Sequence, residues 1–224
     1  MITSQKLLQV FAALAIVHCV VLLTENDSIA WYLKPFLLPF LFYAVANSES
    51  FPTKKWLLAA LFFSWVGDCI LLFADKGEMY FILGLVAFLL AHILLIVLFT
   101  KQKSSNLSFK KPMFWVGFAC ATMYLIGMLA LLLPSLGSLK FPVTGYALTI
   151  TVMLKTSIKG TFDWEEKAKY NVFIGAFLFV VSDSILAINK FHSPLPLASF
   201  WIMLTYLMAQ YFITDGILKL NRKK

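Results

Sequence analysis

Charge is scarce in this 224-residue chain: Asp, Glu, Lys and Arg make up 13% of it, about half the share of a soluble domain. So low a fraction, beside 61% hydrophobic residues, excludes a disordered chain and an ordinary soluble nucleic-acid-binding module. Cysteine is sparse too. Cys19, Cys69 and Cys120 sit in apolar runs without C-x-x-C spacing, which excludes a disulfide-stapled secreted module and reads as packing. The G-x-S-x-G, P-loop, H-E-x-x-H and dinucleotide motifs are all missing, and no metal or cofactor is expected. Acidic residues number 11 against 19 basic ones, a net charge of +8.

What the chain has in abundance is long apolar segments with short punctuation. Spans are expected near 7–23, 31–46, 56–73, 79–99, 113–133, 141–154, 170–188 and 197–214. A crossing helix needs roughly 20 residues. Most segments reach that with a turn of flanking residues, while the second and sixth read short and suggest tilted or broken helices. Lipid offers backbone polar groups no partner, and apolar runs this long exclude strands. The expected fold is therefore all-α: a polytopic transmembrane bundle of eight helices in a single domain, 1–224. Lys6 ahead of the first run imitates a signal peptide, but no small-x-small cleavage site follows, so this run is read as a mature helix.

The basic surplus is topological. With the N-terminus on the cytosolic side, that face carries Lys6, Lys54, Lys55, Lys101, Lys103, Lys110, Lys111, Lys155, Lys159, Lys167, Lys169, Lys219, Arg222, Lys223 and Lys224. The other face carries Lys34, Lys76, Lys140 and Lys190. Fifteen against four is a strong positive-inside bias, placing both termini in the cytosol. A basic face beside anionic lipid accounts for the net charge, with the bilayer as partner and no nucleic acid required. Short loops favour a bacterial inner membrane.

An internal repeat is visible. Gly67-Asp68-Cys69-Ile70-Leu71 in the third span matches Ser182-Asp183-Ser184-Ile185-Leu186 in the seventh, and Ala91-His92 in the fourth matches Ala209-Gln210 in the eighth with three residues of slippage. A period of four helices preserves direction and points to a parallel duplication of a four-helix unit. It sets two carboxyls at one depth.

Asp68 and Asp183 are the two acidic residues well inside spans. Glu25, Asp27, Glu49, Asp75, Glu78, Asp163, Glu165 and Glu166 fall in loops, and Asp215 near a cytosolic end. A charge at the bilayer centre costs about 2.5–3.5 kcal/mol, so such residues face a bundle interior and commonly act there. The plain alternative is structural: carboxyls that hydrogen-bond helices together. Lys34 and Tyr146 enter at the level of the two Asps, with His92 and Gln210 deeper. Taken singly, Tyr146, Tyr206 and Gln210 are more often interhelical hydrogen-bonders than ligands, and Lys34 can snorkel to the interface. A metal site from Asp68, Asp183 and His92 is poorly supported, because His92 lies too deep. His18 and His192 belong to no motif.

Lys34-Pro35, Gly67-Asp68-x-x-Leu71, the Gly84–His92 stretch, Tyr146, Ser182-Asp183-Ser184-x-Leu186-Ala187 and Tyr206-x-x-Ala209-Gln210 run in order from the second span to the eighth. Together they give the chain a resemblance to the YhhN-like lysoplasmalogenases, a family of integral membrane proteins. The resemblance implies eight spans and hydrolysis of the vinyl ether bond of a lysoplasmalogen, a lysophospholipid, to a fatty aldehyde and a glycerophospho-alcohol. It also implies that Asp68 and Asp183 are the essential acids.

The chemistry suits two such residues. Cleavage starts by protonating the vinyl ether at its β-carbon, water captures the oxocarbenium-like cation, and the hemiacetal collapses. That demands a positioned acid that keeps its proton near neutral pH and a carboxylate to steady the cation or activate water. Lys34 is the candidate for the substrate phosphate, while His92, Tyr146, Ser182, Tyr206 and Gln210 are candidates to orient glycerol, water or carboxyls. Two rival readings use the same residues: a proton-coupled transporter with the Asp pair as relay, and a lipid-binding scaffold.

Overall fold

In apolar surroundings a backbone must satisfy its own polar groups, and the helix does so within one segment. The computed structural model describes residues 3–104, 111–165 and 167–222, and shows the expected all-α fold. Lys110, Glu166, Lys223 and Lys224, counted above as loop or terminal charges, lie outside the described residues. Among those described there are eight α-helices and no strand: α1 (Ser4–Leu23), α2 (Asp27–Ala46), α3 (Lys54–Leu71), α4 (Glu78–Thr100), α5 (Pro112–Leu132), α6 (Lys140–Asp163), α7 (Lys169–Phe191) and α8 (Ala198–Leu220). Five of them, α1, α2, α4, α5 and α7, are long and apolar enough to cross a membrane. Large apolar side chains such as Ile16, Val17, Met123, Ile126 and Phe141 lie exposed, as they would with lipid for solvent.

The two segments that read short differ from expectation for opposite reasons. The second is neither short nor broken: α2 begins at Asp27 and continues through Pro35 and Pro39. The sixth runs nine residues past Leu154, because Lys155 and Lys159, read as loop cations, are helical. Lys155 lies about 12 Å along the axis from the Asp163 end. Its ammonium donates to Thr122 Oγ1 at 2.7 Å and sits 5.3 Å over the Phe118 ring, both on α5. Asp163, read as a loop residue, closes α6 at 2% exposure and takes Lys159 at 3.6 Å and the Ser104 hydroxyl at 3.0 Å. Asp215 is likewise buried, and accepts from Asn171 and Lys219, each at 2.8 Å.

The helices fall into two compact units, one carrying α1 to α4 up to Leu98, the other running from Phe99 to Leu220. In the first, α1 packs on α2 and α2 on α3. Side chains pack onto bare backbone between α3 and α4: a Cβ at Gly67 would lie 2.7 Å from the Phe88 ring, and one at Gly84 would meet Leu71 at 2.5 Å. In the second, α5 packs on α6, α6 on α7 and α7 on α8. The α7–α8 seam is tighter, since a Cβ on Gly175 would sit 2.8 Å from both the Ala209 carbonyl oxygen and the Ile213 nitrogen, and one on Gly216 would sit 2.9 Å from the Val172 nitrogen.

Within themselves, the units bury equivalent positions. Leu57, Ala60, Leu61, Ser64 and Gly67 of α3 correspond, 115 residues on, to Val172, Gly175, Ala176, Phe179 and Ser182 of α7, and both sets are buried. Phe88, Ala91, His92 and Leu95 of α4 correspond, 118 residues on, to Tyr206, Ala209, Gln210 and Ile213 of α8, again buried in both. A Cβ on Gly84 would face the Gly67 carbonyl oxygen at 3.7 Å, while at the matching positions Ser182 Oγ donates to the Ile202 carbonyl at 3.0 Å.

Gly175→Leu has to push backbone apart and should cost about 1–3 kcal/mol, read as a lower Tm of the detergent-solubilised protein. Gly127→Ala, where nothing lies within 4 Å of the added Cβ, should leave the Tm unchanged or slightly raise it.

Candidate active site

In the first unit the site begins with proline. Pro39 lacks the N–H that would fill the carbonyl of Pro35, one turn earlier. The Trp65 indole Nε1–H fills it instead, from α3, at 2.8 Å. Trp65 and Asp68 are three residues apart and share a helix face; Lys34 and Pro35 are adjacent. Docking Trp65 on Pro35 therefore brings Asp68 to Lys34, and Lys34 Nζ lies 3.4 Å from Asp68 Oδ1, with the two side chains 18% and 4% exposed. A second indole, that of Trp31, donates to the Leu72 carbonyl at the end of α3 at 3.2 Å. At the other end of the pair, Lys54 caps α2 by donating to the carbonyls of Ala46 and Ser48 at 2.9 and 2.7 Å. The α2–α3 register is thus pinned at both ends.

His92 is fully buried on α4, one turn beyond Phe88, the ring that covers Gly67. Its Nδ1 lies 2.7 Å from the Phe88 carbonyl oxygen. A carbonyl only accepts, so Nδ1 carries a proton and the ring orientation is fixed.

In the second unit Asp183 and Tyr146 meet: the Tyr146 hydroxyl on α6 donates to Asp183 Oδ2 on α7. Asp183 is half-buried and Tyr146 buried. Tyr124 of α5 reaches the neighbouring Ser184 hydroxyl, which in turn donates to the Val180 carbonyl at 2.5 Å, and lies within electrostatic reach of Asp183. Two tyrosines from two helices thus flank one carboxyl. Tyr124 is missing from the residues singled out by sequence, although a tyrosine inside so apolar a span is itself a signal. Ser182 spends its hydroxyl proton on the Ile202 carbonyl, as helix-to-helix glue. Tyr206 packs edge-on to Phe179 at 5.4 Å. Gln210 is 3% exposed and its Nε2 has no hydrogen-bond partner among the described residues.

The structure therefore brings Lys34 to Asp68 and Tyr146 to Asp183, sets His92 a turn from the ring that covers Gly67, and gives Ser182 a packing bond. Among the described residues no group of three His, Cys, Asp or Glu side chains is placed to hold a metal ion.

Comparison with known proteins gives a consistent family. The sequence model described as the YhhN family matches residues 29–217, which include Lys34, Asp68, Tyr146 and Asp183. The chain is 32% identical over 170 residues to lysoplasmalogenase TMEM86A of Homo sapiens, covering 72% of this chain and 65% of that one. It is 32% identical over 163 residues to lysoplasmalogenase TMEM86B of Sus scrofa, with 72% and 62% covered. Against a lysoplasmalogenase of Mycobacterium tuberculosis it is 30% identical over 169 residues, with 73% and 60% covered. The chain thus spans somewhat less than two thirds of the length of these relatives. No solved structure gives a significant match.

Lys34→Met removes the ammonium beside a buried carboxylate and should lower stability by about 1–3 kcal/mol. Adding Asp68→Asn should recover part of that loss. A double-mutant cycle on unfolding in detergent measures the coupling, and additive effects would refute it.

Proposed function

Since the chain belongs to the YhhN family, we propose that it is a lysoplasmalogenase, an integral membrane ether hydrolase. In this reading it cleaves the vinyl ether of a lysoplasmalogen to a fatty aldehyde and a glycerophospho-alcohol. The observation that carries the reading is the family match across 29–217, with a polar partner on each of the two Asps the chemistry would use.

The reaction needs one carboxylic acid and one carboxylate. In this reading Asp68, with the Lys34 ammonium 3.4 Å from its Oδ1, accepts the proton that water loses as it adds to the oxocarbenium ion. Tyr146 donates to Asp183 Oδ2, and in this reading Asp183 carries the proton delivered to the β-carbon. The hemiacetal then breaks, its hydroxyl proton leaving as the glycerol oxygen gains one, so that one water is consumed overall. Lys34 has two further N–H donors for the substrate phosphate. The alkenyl tail would lie among the aliphatic and Phe side chains, and no cofactor enters the scheme. On the same reasoning both termini face the cytosol, and a bacterial inner membrane is the setting proposed.

Purified protein mixed with a lysoplasmalogen should release aldehyde. Asp68→Asn and Asp183→Asn should each lower kcat by at least about 100-fold, and Tyr146→Phe should lower kcat more than it raises KM. Well-folded wild type that releases no aldehyde would sink the proposal; full activity in both Asn variants would sink only the carboxyl mechanism. For orientation, a C-terminal alkaline phosphatase fusion should be inactive and a C-terminal fluorescent protein should be bright.

A further inference from the structure

His18 belongs to no sequence motif, yet it is 1% exposed on α1, and its Nδ1 has no hydrogen-bond partner among the described residues. Leaving a polar atom buried without a partner costs about 1–3 kcal/mol, which a sequence this rich in aliphatic residues could have avoided. The position of His18 suggests what would fill that atom. Ser4 Oγ donates to the Ala44 carbonyl at 2.5 Å, and α1 turns into α2 through Thr24–Asn26. In an antiparallel pair with that register, His18 stands opposite Ala30. Lys34 is one turn further along the same face of α2, on the buried line Ala30, Leu37, Leu41, Ala44. His18 also lies within electrostatic reach of Lys34, and Lys34 contacts Asp68.

The chemistry of a lysoglycerophospholipid narrows the occupant. Its phosphodiester oxygens can only accept hydrogen bonds and carry a charge that is costly to bury. An ammonium head group can only donate, and Lys34 repels it. The free hydroxyl on the glycerol both donates and accepts, so it satisfies Nδ1 in either tautomer, and it is neutral. We propose that His18 is the recognition residue for the free glycerol hydroxyl of the substrate, the group that distinguishes a lyso lipid from its diradyl parent. The proposal rests on the lysoplasmalogenase reading, but it concerns binding and can be measured without turnover.

The probe is a saturated 1-O-alkyl lysophospholipid, which has no vinyl ether to cleave, beside its 2-deoxy analogue. Binding of both to the full-length protein in detergent would be compared for wild type, His18→Phe and His18→Asn. Wild type should bind the hydroxyl-bearing lipid at least about tenfold more tightly than the deoxy analogue, one well-made hydrogen bond's worth. His18→Phe should bring the two affinities within about twofold by weakening only the hydroxyl-bearing lipid. His18→Asn, which keeps a short polar group near the Nδ1 position, should retain most of the preference. The Tm of His18→Phe should match or exceed that of wild type, since a polar atom without a partner is removed; a purely structural histidine would give a lower Tm and an unchanged affinity ratio. No preference in wild type, or an undiminished preference in His18→Phe, overturns the proposal. Aldehyde release by the same wild-type preparation reports separately on the lysoplasmalogenase reading.

Discussion

One carbonyl that cannot be left empty organises the first unit. In water, the oxygen that Pro39 deprives of its partner would be solvated at little cost; in an apolar bundle it must be filled by protein. The Trp31 and Lys54 bonds set the ends of the α2–α3 pair, and between them the Trp65 indole fills this oxygen. It fixes the sliding register of the two helices, and with it the meeting of Lys34 and Asp68. Proline, usually an interruption, acts here as a socket. A charged pair off the water phase needs good geometry to offset its desolvation, and a socket set by backbone and indole is stiffer than one set by two long side chains.

The second unit reaches a comparable end by another route. Its tyrosines reach across from α5 and α6, one to Asp183 itself and one to the neighbouring Ser184. The helices that carry the two Asps nevertheless bury the same register positions. Gly67 and Ser182 stand at equivalent places with different means of adhesion, a bare backbone against a ring in one and a hydroxyl on a carbonyl in the other. Equivalent scaffolds with unlike polar partners give two carboxyls two environments, which a reaction needing an acid and a base can use.

The number and nature of the helices were legible because hydropathy in a bilayer protein is a first-order signal. The ends of α6 were not: Lys155 and Lys159 look like loop residues until Thr122, Phe118 and Asp163 supply their partners. The Asps stood out for the same reason in reverse, as charges that composition alone makes costly. Their partners Lys34 and Tyr146 were legible by depth, and what depth could not give was pairing, because a register depends on tertiary bonds such as that of Trp65. His18 read as incidental and Tyr124 escaped notice because a single histidine or tyrosine in an apolar run has no pattern; only burial and the neighbouring helix give it meaning.

The close seam between α7 and α8 bears on how the protein is made. The three helices outside the group apolar enough to cross unaided are α3, α6 and α8, and these carry Asp68, Tyr146 and Gln210. Each adjoins a more apolar helix: α3 lies between α2 and α4 in the chain, α6 between α5 and α7, and α8 directly after α7. An α8 that leaves the translocon alone has Lys219, its own residue, on Asp215, whereas one leaving as a hairpin with α7 can already add Asn171 to that carboxylate. The glycines that let α7 and α8 touch backbone to backbone would then serve biogenesis as well as packing, escorting the more polar α8 into lipid.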